Sequence, residues 1–318
     1  MKKKTIIALI IAMLSCCLTG CVNQRATVTT TIYPVKYLVE QLAGDRVDVE
    51  YISTDEFIQR AEMVPKYKEI LDRTTLFIYI GELEPYMDVF ENEIMSYKFQ
   101  IINLANLSAV NKFRRYTTGT VNNISVTTES DYYDSTLFDM VDTYDKDPFI
   151  WLDPIAMASM ASTIKDWLQS YYPEDSLVFE NNFKALQANM VRMDAEYQSL
   201  KSLNVKIVTV GCTFGNWQKP YNVQVYPLVM SKYGVLPNDE QLAVIKKTIT
   251  ENDVKYIVRD ETLPEDMMAL YEQIRDELNL KEISMSSLSK LSDEDKDKNK
   301  DYITIMYDNL IELEEAFK

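Results

Sequence analysis

The chain has no histidine in 318 residues. That removes the side chain most often used as a general base near neutral pH and the commonest nitrogen ligand for metals. Cysteine is scarce where it would matter. Of the four cysteines, Cys16 and Cys17 lie inside an apolar leader and Cys21 directly follows it. An exported chain therefore keeps Cys212 as its one thiol able to pair, and no intramolecular disulfide can form. No Gly-rich phosphate loop and no nucleophile motif are present, which together with the missing histidine argues against an enzyme. The leader's apolar run, 5–18, falls short of the roughly 20 residues that a membrane-spanning helix needs. Positive charge is also in deficit: Lys and Arg number 33 against 49 Asp and Glu, a net charge of −16. Loss of residues 1–20 takes away three lysines and no carboxylate, leaving about −19. Such a balance disfavours nucleic acid and anionic lipid as partners and suits a solvated acidic surface.

What is present begins with an address. Lys2, Lys3 and Lys4 precede the apolar run, and Leu18-Thr19-Gly20-Cys21 closes it with small residues before a cysteine. The pattern looks like a bacterial lipobox, in which Cys21 is acylated and becomes the first residue of the mature chain. Residues 1–20 are read as a lipoprotein signal peptide and 21–26 as a tether. The expected location is the extracytoplasmic face of the cell membrane, held by lipid.

Past the tether the pattern alternates. Residues 28–32 are wholly β-branched and read as a strand. Pro34 opens a helix that Gly44 ends, and 47–52 reads as a second strand. A helix over 65–72, a continuous apolar strand over 76–80 before Gly81, and a strand over 99–104 follow. The continuous run marks a strand buried on both faces. After a polar region, 174–203 runs for 30 residues without Pro or Gly. Leu177, Phe183, Leu186, Met190, Met193, Tyr197 and Leu200 recur there at spacings of three or four, with one gap of six. At 1.5 Å per residue this predicts a helix of about 45 Å. Strand 206–210, helix 240–250, strand 256–258, helix 265–278, strand 281–284 and helix 302–317 complete the chain. The alternation predicts parallel βαβ units. The expected fold is α/β, with two lobes of parallel sheet flanked by helices and joined by one long rigid helix. The expected divisions are an N-terminal lobe over 27–172, the linking helix over 173–203 and a C-terminal lobe over 204–318.

Several segments resemble the zinc- and manganese-binding proteins of bacterial ABC importers. They are Thr29-Thr30-Thr31-Ile32-Tyr33-Pro34, Leu42-Ala43-Gly44-Asp45-Arg46-Val47, and Leu76-Phe77-Ile78-Tyr79-Ile80-Gly81 followed by Leu83-Glu84. The most specific is Asp147-Pro148-Phe149-Ile150-Trp151-Leu152-Asp153-Pro154, which differs from that family's Asp-Pro-His-x-Trp-Leu-Asp-Pro at one residue. Asn181-Asn182, Phe214-Gly215, and Tyr302, Met306 and Asn309 in the last helix continue the series. The resemblance implies a solute receptor that works beside an ABC permease as a monomer, with its ligand between the lobes. It also implies a metal held by histidines and carboxylates. At the positions that match, this chain has Gln59, Phe149, Gly211 and, near the end of the last strand, Ser286. All four are poor ligands or none for Zn²⁺ or Mn²⁺.

Three readings follow from that replacement. A rebuilt site could hold Zn or Mn without histidine, drawing on Cys212, Glu62, Asp260, Glu261, Asp55 and Glu56. A pocket walled by Phe57, Phe149, Trp151, Asn216, Trp217 and Gln59 could take an organic ligand, cationic if Asp260 and Glu261 face it. A third reading is a surface lipoprotein with a protein partner and no transport role. Seven carboxylates over 129–147, and Asp293, Asp295 and Asp297, read as solvated loops, because Lys298 and Thr304 stand where a calcium loop needs glycine and glutamate.

Overall fold

The computed structural model describes residues 25–318 except 55–56, 108–109 and 123. Cys21, the leader, most of the tether, Asp55 and Glu56 lie outside the described residues. Ala26, the last tether residue by sequence, already belongs to the first strand.

Strand β1 (Ala26–Thr30) pairs in parallel with β2 (Val47–Tyr51) on one side and β3 (Leu76–Tyr79) on the other, and β4 (Gln100–Asn103) adds to β3. The order β2-β1-β3-β4 makes the first sheet. Helices α1 (Tyr33–Ala43), α2 (Tyr67–Arg73) and α3 (Met87–Ile94) connect or flank these strands. Every residue of β3 is buried, as its unbroken apolar run predicts. Gly81, just past β3, has φ +121, and a Cβ there would lie 2.9 Å from Asn103 Oδ1, so the close approach of β4 requires glycine.

A second sheet of parallel strands has the order β10-β9-β7-β8. Its members are β7 (Lys206–Thr209), β8 (Gln224–Pro227), β9 (Tyr256–Arg259) and β10 (Lys281–Ser284). Helices α6 (Gln218–Tyr221), α7 (Asp239–Glu251), α8 (Glu265–Glu277), α9 (Asp293–Asp297) and α10 (Tyr302–Phe317) surround it. Between the sheets come an antiparallel hairpin, β5 (Arg115–Val121) with β6 (Ile124–Ser130), and the antiparallel helices α4 (Pro154–Tyr171) and α5 (Ser176–Tyr197). Asp153 caps α4 by accepting from the N–H groups of Ile155 and Ala156, with Pro154 at the first position.

The long helix differs from expectation in its ends. Its α-helical part holds 22 residues, about 33 Å, and 3-10 turns over Pro173–Asp175 and Gln198–Ser202 carry the path on. Leu177 is 72% exposed, and Phe179 takes the core position instead. From Phe179 through Phe183, Leu186, Met190, Met193, Tyr197 and Leu200 the buried positions alternate by four and three, so the gap of six marked a wrong starting residue. The helix touches both sheets' surroundings: Asn182 donates to Leu42 O at 2.9 Å, and Tyr197 donates to Met306 O at 2.6 Å. Asp293–Asp297 is a short helix capped by Ser292, and not an open loop.

One hydrophobic core runs through both lobes. Ile32, Phe57, Phe149, Trp151, Met193, Cys212, Phe214 and Ile257 belong to the same buried cluster. A smaller cluster, including Phe77, Tyr86 and Ile94, lies under α3. Among the described residues no helix is long and apolar enough to cross a membrane.

Candidate functional site

In both lobes the loops that follow the strands' C-terminal ends meet each other, which is where an open parallel sheet places its ligands. Gln59 arrives on a 3-10 turn after β2, Ile58–Arg60, and is 1% exposed. Gly211 and Cys212 come just after β7. Phe149 precedes the 3-10 turn Ile150–Leu152 and is fully buried. Gln59 and the Gly211–Cys212 segment meet directly, and Phe149 belongs to the same buried cluster as Phe57 and Cys212. Gln59 Nε2 donates to Ser231 O at 2.8 Å and to Cys212 Sγ at 3.2 Å. A Cβ on Gly211 would lie 3.0 Å from the Phe57 ring and 3.4 Å from Gln59 Oε1. Glycine there allows the first lobe to press against the second. The Phe149 ring is tilted on Trp151 at 5.3 Å and meets the edge of Tyr144 at 6.0 Å.

The candidate aromatic wall is committed to packing. Trp151 Nε1 donates to Ser287 O at 2.9 Å, and Trp217 Nε1 donates to Leu152 O at 2.6 Å, each joining one lobe to the other. Both indoles are 0% exposed, and Asn216 is buried beside them at 3%. Phe214, held at φ +64, packs on Trp217 at 4.7 Å.

The remaining candidates border this group: Glu62 lines a cavity with Gln59, and Asp260 reaches Trp151 through Ser287. Ser286 has its N–H and C=O paired with the Asn309 amide, and its Oγ accepts from Leu288 N–H. It borders a separate 130 Å³ cavity with Asp260, Glu261 and Thr262. Asp260 is buried but saturated: Oδ1 accepts from the N–H and hydroxyl of Thr262, and Oδ2 from Ser287 N–H. Glu261 and Glu62 are exposed.

These residues do not fit Zn²⁺ or Mn²⁺. Zinc takes four N, S or O ligands in tetrahedral array. The converging positions supply one amide oxygen, Gln59 Oε1, buried without a hydrogen-bond partner, and one thiol, two donors where four are needed. Burial pushes the Cys212 thiol well above its ordinary value, and the nearby Asp147 charge adds to this, so the thiolate that a metal needs is strongly disfavoured. Among the described residues no three Cys, Asp or Glu side chains gather as a metal site; the seven carboxylates of 129–147 therefore form none.

The geometry also gives roles to residues that the sequence reading quoted without one, and it corrects the reading of Asp147 as a solvated carboxylate. Asp147 is fully enclosed, accepts from Phe149 N–H at 3.0 Å, and is pushed by burial up to about 7. A Cβ on Gly215 would lie 2.2 Å from its Oδ2. Glu84, also enclosed, accepts from the Thr31 hydroxyl and from the N–H groups of Ile80 and Gly81, tying the loops after β1 and β3 together. A set of contacts then clasps the two lobes at the mouth. Arg60 forms a bidentate pair with Asp266 at 2.8 and 2.9 Å and donates to Gly234 O. Asp88 receives the Tyr233 hydroxyl at 2.7 Å and Lys232 Nζ at 3.2 Å. No motif marks Asp266 or Tyr233, since each matters through a partner more than 140 residues away.

Comparison with known proteins agrees with the architecture. Residues 28–316 match the model of the family described as zinc-uptake complex component A, periplasmic. The zinc-binding lipoprotein AdcA of Streptococcus pneumoniae is 24% identical over 98% of this chain; the chain spans 61% of that relative's length. The high-affinity zinc uptake system protein ZnuA of Bacillus subtilis is 22% identical, with 92% of this chain and 88% of the relative covered. A crystal structure of ZnuA superposes with a TM-score of 0.71 at 17% identity, covering 93% of this chain and all of the other. The laminin-binding protein Lbp of Streptococcus pyogenes has a TM-score of 0.70 at 18% identity, covering 92% of this chain and 100% of the other. The chain belongs to the zinc-uptake complex component A family of solute-binding proteins.

Proposed function

We propose that this protein is an extracytoplasmic lipoprotein, anchored through Cys21, that works beside the ABC permease of a zinc- or manganese-type importer without carrying metal at the family's position. The carrying observation is the Gln59 amide, which spends both of its hydrogens across the cleft, on Ser231 O and Cys212 Sγ. Side chains of this chain thus take up the volume and the hydrogen bonds that a bound ion and its ligands would use. The relatives named as zinc-binding support the import setting, and the donor set supports the loss of cargo.

Native mass spectrometry of the lipid-free domain, purified without chelator and titrated with Zn²⁺ or Mn²⁺, tests this. The expected spectrum shows no stoichiometric metal. One tightly held Zn²⁺ per chain, lost on Cys212→Ser, would overturn the reading in favour of a rebuilt site. The mouth contacts favour a second reading, a surface lipoprotein with a protein partner. Arg60–Asp266 and Asp88–Tyr233 join the lobes directly, so the shape presented to a partner would be held by the protein's own contacts.

A further inference from the structure

The end of the first sheet opposite the cleft, where β1 and β4 begin, carries a different kind of surface. Ala26 starts β1, and its N–H donates to the Tyr172 hydroxyl at 2.8 Å. Tyr172 meets Tyr171 edge-on at 4.8 Å, and Tyr171 stacks on Trp167 at 5.0 Å. Trp167 Nε1 in turn donates to the Gln100 side chain at the start of β4. Tyr171 is 44% exposed, and Leu177, at the start of the next helix, is 72% exposed. Gln169 donates to Ser176 O at 3.0 Å, which fixes the corner between the two helices. Tyrosine and tryptophan with free edges beside an exposed leucine are the composition favoured at a membrane–water boundary.

We propose that this aromatic corner rests on the lipid headgroup layer of the anchoring membrane. The proposal rests on the anchoring half of the reading above, acylation at Cys21, and not on its metal half. Five peptide steps separate Cys21 from Ala26, at most about 18 Å of fully extended chain. A lipid on Cys21 therefore holds the bilayer surface close to Ala26, and Trp167, Tyr171 and Tyr172 are the rings found there. The contact is apolar rather than electrostatic. Arg46 is paired with Asp175 at 2.7 Å, Lys165 is shared between Asp166 and Glu180 at 3.2 Å, and Arg25 lies 3.9 Å from Asp48, so these basic side chains are already engaged by carboxylates.

The three tryptophans make the test selective. Trp151 and Trp217 are 0% exposed, so a quencher at the membrane surface reads Trp167. The full lipidated chain is reconstituted into phosphatidylcholine vesicles with and without bromine on the acyl chains. The expected result is a loss of up to roughly a third of the indole emission in brominated vesicles, one indole of three, unchanged by raising salt. Trp167→Phe should abolish the loss, and Leu177→Glu should reduce it at least twofold while leaving sedimentation with vesicles intact. A chain that sediments with vesicles yet keeps Trp167 open to aqueous iodide and unquenched by bromine overturns this proposal alone and leaves the corner to a protein partner. A chain with no lipid on Cys21 that stays in the supernatant overturns both this proposal and the anchoring on which it rests.

Discussion

Trp151 and Trp167 stand at opposite ends of the first lobe and show how one residue type is put to two uses. Trp151 lies at the cleft end, is fully buried, and spends its N–H on Ser287 O in the other lobe. Trp167 lies at the far edge, is half-buried, and bonds Gln100 within its own lobe. At the cleft end the large rings Phe149, Trp151 and Trp217 are buried and both indole N–H groups are paired across the lobes, while Gln59 Oε1 and Asn216 Nδ2 are buried without a hydrogen-bond partner. At the far edge, rings are left open to their surroundings. A receptor with an open site would show the reverse at its cleft. Here the space between the lobes behaves as core.

The comparison breaks most sharply on stability. Trp151→Ala should cost about 3–5 kcal/mol, because it leaves a cavity at the junction of both lobes and orphans the Ser287 carbonyl. Trp167→Ala should cost about 1 kcal/mol, since a half-exposed ring loses little burial. Urea denaturation of the lipid-free domain measures both. Equal costs would mean that the cleft end is not continuous core.

The second way to sharpen the comparison is pH. Asp147 sits beside the Phe149 backbone with its carboxyl raised by burial to about 7, against about 3.9 in an unfolded chain. The folded state therefore keeps a proton that the unfolded state has released. Between about pH 4 and pH 7 this group makes stability fall as pH rises, by up to about 4 kcal/mol, and its cost is complete above about pH 7. Asp147→Asn keeps an acceptor for Phe149 N–H and should flatten that part of the profile, raising stability at pH 8 relative to the parent. A profile that is the same in both proteins would mean that a cation or water compensates the buried charge.

These differences set the limits of what the sequence discloses. Periodicity alone places most strands and the α10 bounds, because burial on both faces leaves an unbroken apolar run and burial on one face leaves a three–four rhythm. Hairpin β5–β6 is threonine-rich and mostly exposed, so no apolar pattern announces it. Strand β8 ends in Pro227, which argues against a strand except at an edge, and an edge is where β8 lies. Phe149 is locatable because residues that match the family's motif flank it on both sides, and it is buried in the same cluster as Phe57 and Cys212. The contacts that close the site are not legible in the same way. Gln59 binds the backbone carbonyl of Ser231, and a carbonyl carries no residue identity. Whether an indole walls a pocket or fills a core depends on what stands opposite, which only the fold decides.

The smallest expected effect is at the mouth. Arg60 joins Asp266 and Gly234 O from the other lobe and holds the Asp266 carboxyl below the usual carboxylate range. The pair is partly solvated, so Arg60→Ala should lower global stability by no more than about 1 kcal/mol. Its local effect is more telling. If the ion pair and the Gln59 amide hold the lobes shut together, removing Arg60 should speed hydrogen exchange around Gln59 about fivefold, the equivalent of that 1 kcal/mol in local opening. The strands of the second sheet should keep their protection. Unchanged exchange would assign closure to the buried contacts of Gln59, Phe57 and Gly211 alone, and the charged pair would be an ornament of an interface already closed by its core.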